Sequence, residues 1–206
     1  MNILMSIILR PKLSIERFVR ITLASAEIVV SALEKFLKRH KQHQVQFHVK
    51  WPNDILVESK KIAGILTESN IREKEIVYAV VGIGLNVNQN IAELSEETRS
   101  AVTSLFNETS VLFERERLIA DVINMFESRY FVLERTNYDQ VIDSWKKRCN
   151  LIGKDIMIET HSEVEAGKFI DVNERGILIY RTKDGQIKEL ISGTIKRMSP
   201  VYGSDD

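Results

Sequence analysis

Cysteine is nearly absent: Cys149 is the only one in 206 residues. No internal disulfide can form, and such a chain suits a reducing compartment. Net charge is absent too. The 29 Lys and Arg residues are balanced by 29 Asp and Glu, which removes the electrostatic case for nucleic-acid or membrane binding by the chain as a whole. No apolar run approaches the ~20 residues a membrane helix needs, and Arg10-Pro11 interrupts the apolar start too early for a secretory signal. Repeats and low-complexity segments are missing as well. The expectation is a soluble cytoplasmic chain, long enough for one sizeable domain and a small one.

What is present is a sequence of periodic segments. Residues 1–9 read as a strand that starts abruptly in apolar residues, and apolar positions at helical spacing predict a helix over 15–37. Residues 45–50 alternate apolar and polar side chains, as a half-buried strand does, and Pro52 ends that strand because it has no N–H for the ladder. Residues 55–57 and 62–67 are short apolar runs joined by polar residues 58–61, a hairpin pattern. Residues 76–88 are nearly continuously apolar, which predicts a central strand covered on both faces. Helices are predicted over 95–107, 113–138 and 138–149. From residue 150 the texture changes to short alternating runs at 154–159, 165–171, 176–181 and 186–191, with turn sequences between them. A module of roughly 50 residues with that pattern predicts a small barrel.

The chemistry concentrates at residues 48–68. Lys50, Asp54 and Lys61 fall around one turn. Two ammonium groups and a carboxylate suit an anionic ligand arriving with a cation: the lysines neutralise phosphate or carboxylate oxygens, and the carboxylate holds the metal. Asn53-Asp54 could equally form an Asx turn, and a solvated strand-end position is the common fate of a lysine. Gly64 lets a backbone approach a ligand closely. Gly82 and Gly84 weaken their strand, which is explained if a ligand lies flat against it, with Asn86 offering an amide at its end. A dinucleotide fingerprint is not supported there, since no third glycine or helix start follows. His40, His43 and His48 match no metal spacing and read as surface residues, and Cys149 reads as a buried small residue.

The segments Lys50-Trp-Pro-Asn-Asp54, Lys61-Ile-Ala-Gly-Ile-Leu-Thr-Glu68 and Gly82-Ile-Gly-Leu-Asn-Val-Asn88 resemble, in order and in spacing, the successive signatures of biotin protein ligases. That resemblance implies an α+β fold, a class II synthetase-like mixed sheet with helices, followed by an SH3-like barrel. Residues 1–149 would be an N-terminally incomplete catalytic domain and 150–206 the barrel, assisting ATP or carrier binding without holding the fold of the larger part. It implies a two-step reaction in which ATP and biotin give biotinyl-5′-AMP, with Mg²⁺ as the metal, and the acyl group passes to a lysine of a biotin carboxyl carrier protein. Lys61 would contact the acyl phosphate and Lys50 add positive charge. Asn53 and Asp54 would serve phosphate or Mg²⁺, Gly64 the biotin ring and Asn86 the adenine, while Trp51, Gly82 and Gly84 would complete the substrate and nucleotide surface. From the residues alone Trp51 reads as a packing anchor more than a stacking platform, and beside the lysine it can be both.

Departures from the family pattern carry expectations of their own. The family's Gly- and Arg-rich loop lies upstream of the strand matching residues 3–7, so this chain alone is expected to make little biotinyl-AMP and to associate through an exposed sheet edge, a homodimer included. Leu4 stands where many members carry Trp, and Thr194 where an acidic residue is common. The winged helix of the repressor members is not among these residues, so DNA binding is not carried over. A lipoate or octanoyl ligase, or a non-catalytic remnant that binds the carrier or a second subunit, are the alternatives.

Overall fold

The computed structural model describes residues 1–136, 138–160 and 163–198. Its first sheet contains β1 (Ile3–Leu9), β2 (Phe47–Lys50), β3 (Asp54–Val57), β4 (Lys60–Arg72) and β5 (Glu75–Leu85), in the spatial order β1-β5-β4-β3-β2. Every strand pairing is antiparallel, not mixed as the resemblance implied. The reason is local: β2 to β5 are joined by short turns, which can only reverse the chain. The β4–β5 turn uses Glu73 and Lys74, both at positive φ, and carries none of the glycine or asparagine that would announce it.

The helix α1 (Val19–Arg39) crosses the back of this sheet. It is buried on nearly every side, because α4 (Arg115–Arg135) and α5 (Asp139–Arg148) pack on its outer surface. The core thus lies between sheet and helices, with Ile21, Leu23, Val29, Leu33 and Phe36 of α1 against Val49, Ile55, Ile65, Val81 and Ile83 of the strands. At the β1–β5–β4 side of the sheet only one face is covered by the described residues. Along β5, Ala79, Val81, Ile83 and Leu85 are buried while Val80, Gly82 and Gly84 on the other face are half-exposed. This corrects the reading of β5 as covered on both faces: its continuous apolar run comes from a glycine-interrupted outer row, not from a second layer.

The helix predicted over 95–107 is two, α2 (Glu96–Ala101) and α3 (Leu105–Thr109). Val102 between them is extended and bridges Lys61 in parallel, and the Thr103 N–H donates to the Lys61 carbonyl. Ser95 and Ser104 cap the two pieces through their side chains.

The second sheet contains β6 (Asp155–Glu159), β7 (Val164–Val172), β8 (Leu178–Thr182), β9 (Ile187–Leu190) and β10 (Thr194–Arg197), in the order β10-β6-β7-β8-β9. All pairings are antiparallel, and none joins β10 to β9 among the described residues. The turn before β8 seats this sheet on the first. The Trp51 Nε1 donates to the Gly176 carbonyl at 2.9 Å, and Arg20 Nε donates to the Glu174 carbonyl at 2.6 Å. Gly176 sits at φ +85°, and a Cβ there would stand 3.1 Å from Val19 and 3.2 Å from Leu23 of α1. No helix among the described residues is long and apolar enough to cross a membrane.

Candidate active site

Strand register places five residues in one row across the open face. Leu4 pairs with Gly84, Gly84 with Gly64, Gly64 with Asp54 and Asp54 with Lys50. The next row is Ser6, Gly82 and Leu66. Because three of these positions are glycine, the sheet surface sinks into a trough of about 490 Å³, lined also by Asn53 and Lys61. Gly84 would place a Cβ 3.6 Å from Leu4 and Gly82 one 3.6 Å from the Leu66 carbonyl, so neither glycine is required for packing. Their absent side chains leave flat backbone open to a ligand.

One end of the trough is charged. Lys50 Nζ lies 2.7 Å from Asp54 Oδ2 and Lys61 Nζ 2.6 Å from Asp54 Oδ1. Asp54 is buried, so its charge requires such partners. Two ammonium groups against one carboxylate leave one net positive charge, and the Lys61 side chain, 44% exposed, is free to offer it.

Lys61 reaches this face through a bulge. Gly64 lies three positions after it, and in a regular strand an odd offset puts two side chains on opposite faces. The pairing shifts between Ile55 and Leu56, with Ala63 opposite the first and Lys61 opposite the second, so Ile62 is an extra residue. That insertion flips the parity and re-aims Lys61 toward the Gly64 side. A Cβ on Gly64 would be only 2.9 Å from Lys61 Cε and Nζ. The bulge went unread in the sequence, where the only signal is the wrong parity between Lys61 and Gly64.

Not every expected residue joins the trough. Trp51 is 0% exposed and its indole N–H is spent on Gly176, so it anchors the two sheets together and cannot stack on a ligand. Asn86 sits at the end of β5, where its Nδ2 donates to the Thr103 carbonyl at 2.9 Å and its backbone holds Ile62 and Leu105. Its amide braces the Lys61 segment in place of facing the trough. Asn53 lines the trough, but its Nδ2 donates to the Ile65 carbonyl at 2.9 Å, which leaves its side-chain oxygen as the available group.

Asp54 does not fit a metal ligand. Both carboxylate oxygens are held by ammonium groups, and among the described residues no three His, Cys, Asp or Glu side chains converge as a cation site. Cys149 is buried and its thiol is pushed up to about 11 by that burial, which leaves it inert as a nucleophile.

The sequence profile of the biotin/lipoate A/B protein ligase family matches residues 2–86, which contain α1 and all five strands of the trough. The chain is 31% identical over 195 residues to the bifunctional ligase/repressor BirA of Bacillus spizizenii, covering 95% of this chain and 58% of that relative's length. It is 27% identical over 139 residues to the biotin–[acetyl-CoA-carboxylase] ligase of Paracoccus denitrificans, covering 67% of this chain and 58% of that protein. The biotin protein ligase of Aquifex aeolicus in complex with biotin and ATP superimposes with a TM-score of 0.78 at 25% identity, over 96% of this chain and 79% of that one. Both sheets and the helices therefore have counterparts in a protein similar to this one.

Proposed function

From the premise that the chain belongs to the biotin/lipoate A/B protein ligase family, we propose that it takes part in ATP-dependent activation of biotin and transfer of the acyl group to a lysine of an acceptor protein. The relatives' names support biotin over lipoate, and acetyl-CoA carboxylase as the source of the biotin carboxyl carrier domain. Residues 1–149 form the catalytic domain in this reading. Residues 150–206 belong to an SH3-like module in this reading, seen as the open five-stranded sheet described above, and the reaction belongs in the cytoplasm.

The observation that carries the reading is the pairing of Lys50 and Lys61 on Asp54 beside a glycine-floored trough. In the first step a biotin carboxylate oxygen attacks the α-phosphorus of ATP. The new acyl–oxygen–phosphorus bond forms as the bond to pyrophosphate breaks, and pyrophosphate leaves with the electron pair. Two anions must meet, and negative charge accumulates on the phosphoryl oxygens between them. Lys61, fixed by Asp54 but half in solvent, supplies a pre-aimed positive charge where that repulsion is largest. Lys50 keeps Asp54 from cancelling it. Gly64, Gly82 and Gly84 let the flat ligand lie on the strands, and the Asn53 side-chain oxygen offers an acceptor at the trough wall. Mg²⁺ in such reactions neutralises nucleotide phosphates; the donor set here does not hold one, and no step is assigned to it. In the second step the neutral acceptor amine attacks the acyl carbon, the amide forms, AMP leaves with the electron pair and the amine loses a proton.

The test is pyrophosphate release with biotin and ATP, run on the chain and on Lys61→Ala, with lipoate in a parallel arm. The trough is open along β1, where Leu4 is 87% exposed, so the parent rate is expected to be low and the ratio decides. Lys61→Ala should be slower by about 10²-fold at an unchanged thermal midpoint. Titration with biotinyl-AMP reads the same pair without turnover. Equal rates and equal binding in parent and variant would overturn the assignment, and a preference for lipoate would move it within the family.

A further inference from the structure

The chain is neutral overall, yet the second sheet carries a cleft of about 510 Å³ lined by Lys154, Lys168, Arg181, Lys183 and Arg197, with Asp155 the one acid in its lining. Lys168 of β7 and Arg181 of β8 stand directly opposite each other in register, an arrangement that repels. Asp155 of β6 stands opposite Lys168 on its other side and offsets one of these charges, while other acids of the sheet are engaged elsewhere. Glu159 pairs with Lys196, Glu165 with Lys188, Asp171 with Lys146 and Glu189 with Arg175, while the Asp184 carboxylate accepts from the Thr182 hydroxyl. Among the described residues none of the five lining cations is in an ion pair with a carboxylate.

The kind of partner follows from what the cleft lacks. All five cations are exposed, whereas a small-molecule site buries most of its ligand among fixed groups. No aromatic side chain lines it, so the stacking platform of a single-stranded nucleic-acid site is missing. The positive charge is gathered in one short patch and does not run as a stripe along an element, which is the duplex footprint. A protein surface bearing carboxylates fits these conditions. The patch extends toward the charged end of the site: Arg197 lines this cleft and a second one that contains Lys196 and Lys50, and Lys50 is the partner of Asp54.

We propose that this basic cleft docks an acidic face of the acceptor protein and steers its lysine toward the trough, an inference that rests on the acceptor-lysine reading above. Complementary charge of this kind acts mainly on the rate of encounter and makes it salt-dependent.

The experiment measures binding of the carrier domain of acetyl-CoA carboxylase to the parent and to K168E/R181E/K183E, with K168Q/R181Q/K183Q as the milder variant. Circular dichroism and thermal unfolding check the fold. The parent should lose affinity steeply between low and physiological salt. The reversal variant should bind about 10-fold more weakly or worse at low salt with a flattened salt slope, and the neutral variant should fall between. Biotinyl-AMP binding, read separately, should be unchanged in all three. Carrier affinity and salt slope that survive charge reversal would overturn the proposal, as would tighter parent binding to a short DNA duplex or to pyrophosphate than to the carrier. A parent that docks the carrier but binds no biotinyl-AMP would count against the proposed function and leave this surface standing.

Discussion

A methyl group at Gly64 would lie 2.9 Å from the end of the Lys61 side chain, closer than real Cβ atoms approach. Because the obstructing atoms are the tip of a flexible chain, the backbone need not move and Lys61 must. Gly64→Ala is therefore expected to keep the thermal midpoint within a few degrees while slowing adenylate formation by about 10-fold or more through misplacement of one charge. Gly82→Ala is the control, since its Cβ would meet only ordinary contacts at 3.6 Å and touch no lysine. Equal losses from both variants would show that floor space, not Lys61, is what Gly64 protects. At this scale the sequence disclosed Lys50, Asp54, Lys61 and the glycines by residue type and spacing. It could not disclose that Trp51 packs against the Gly176 turn or that Asn86 spends its donor on Thr103, because both partners come from segments distant in the chain.

β1 is the edge of the first sheet and shows Leu4 and Ile8 on its outer face, 87% and 60% exposed. Such an edge offers unpaired backbone groups beside apolar side chains, the combination that invites pairing with another chain. The chain is expected to self-associate with rising concentration. Ile8→Lys should shift it toward monomer in sedimentation velocity with little change in the thermal midpoint, because Ile8 is mostly exposed and lies outside the buried core. A parent that sediments as a monomer throughout would show that β1 is not a pairing edge. The strands and most helices were legible from period and turn residues. The break between α2 and α3 was not, since Val102 is extended only because Lys61 of β4 stands beside it.

The two sheets meet through Trp51 and the Gly176 turn, and this decides how the whole molecule unfolds. Trp51→Phe removes the donor to a buried carbonyl, which costs about 1–3 kcal/mol and should lower the thermal midpoint by roughly 2–10 °C. If the sheets form one cooperative unit, calorimetry will show a single transition that moves as a whole. Two resolved transitions, with only one displaced, would mean that the two sheets unfold independently. With Gly176 against Val19 and Leu23, and Lys146 paired to Asp171 at 2.7 Å, the single transition is the expected result.

Sequence alone determined the strand–turn–strand order of residues 45–88, the helical period of α1, the alternating texture after residue 150 and the residue types of the charged site. These follow from short-range rules: side-chain period, proline, turn chemistry. What only the tertiary structure decided is which face each side chain meets. The Ile62 bulge turned Lys61 onto Gly64, five strands in register aligned Leu4 with Lys50, and four ion pairs drew acids away from a cleft that kept five cations in a chain of zero net charge. Net charge is a sum and periodicity is local. Register and the placement of charge are set by pairing between residues far apart in the chain, and that pairing exists only once the sheets are formed.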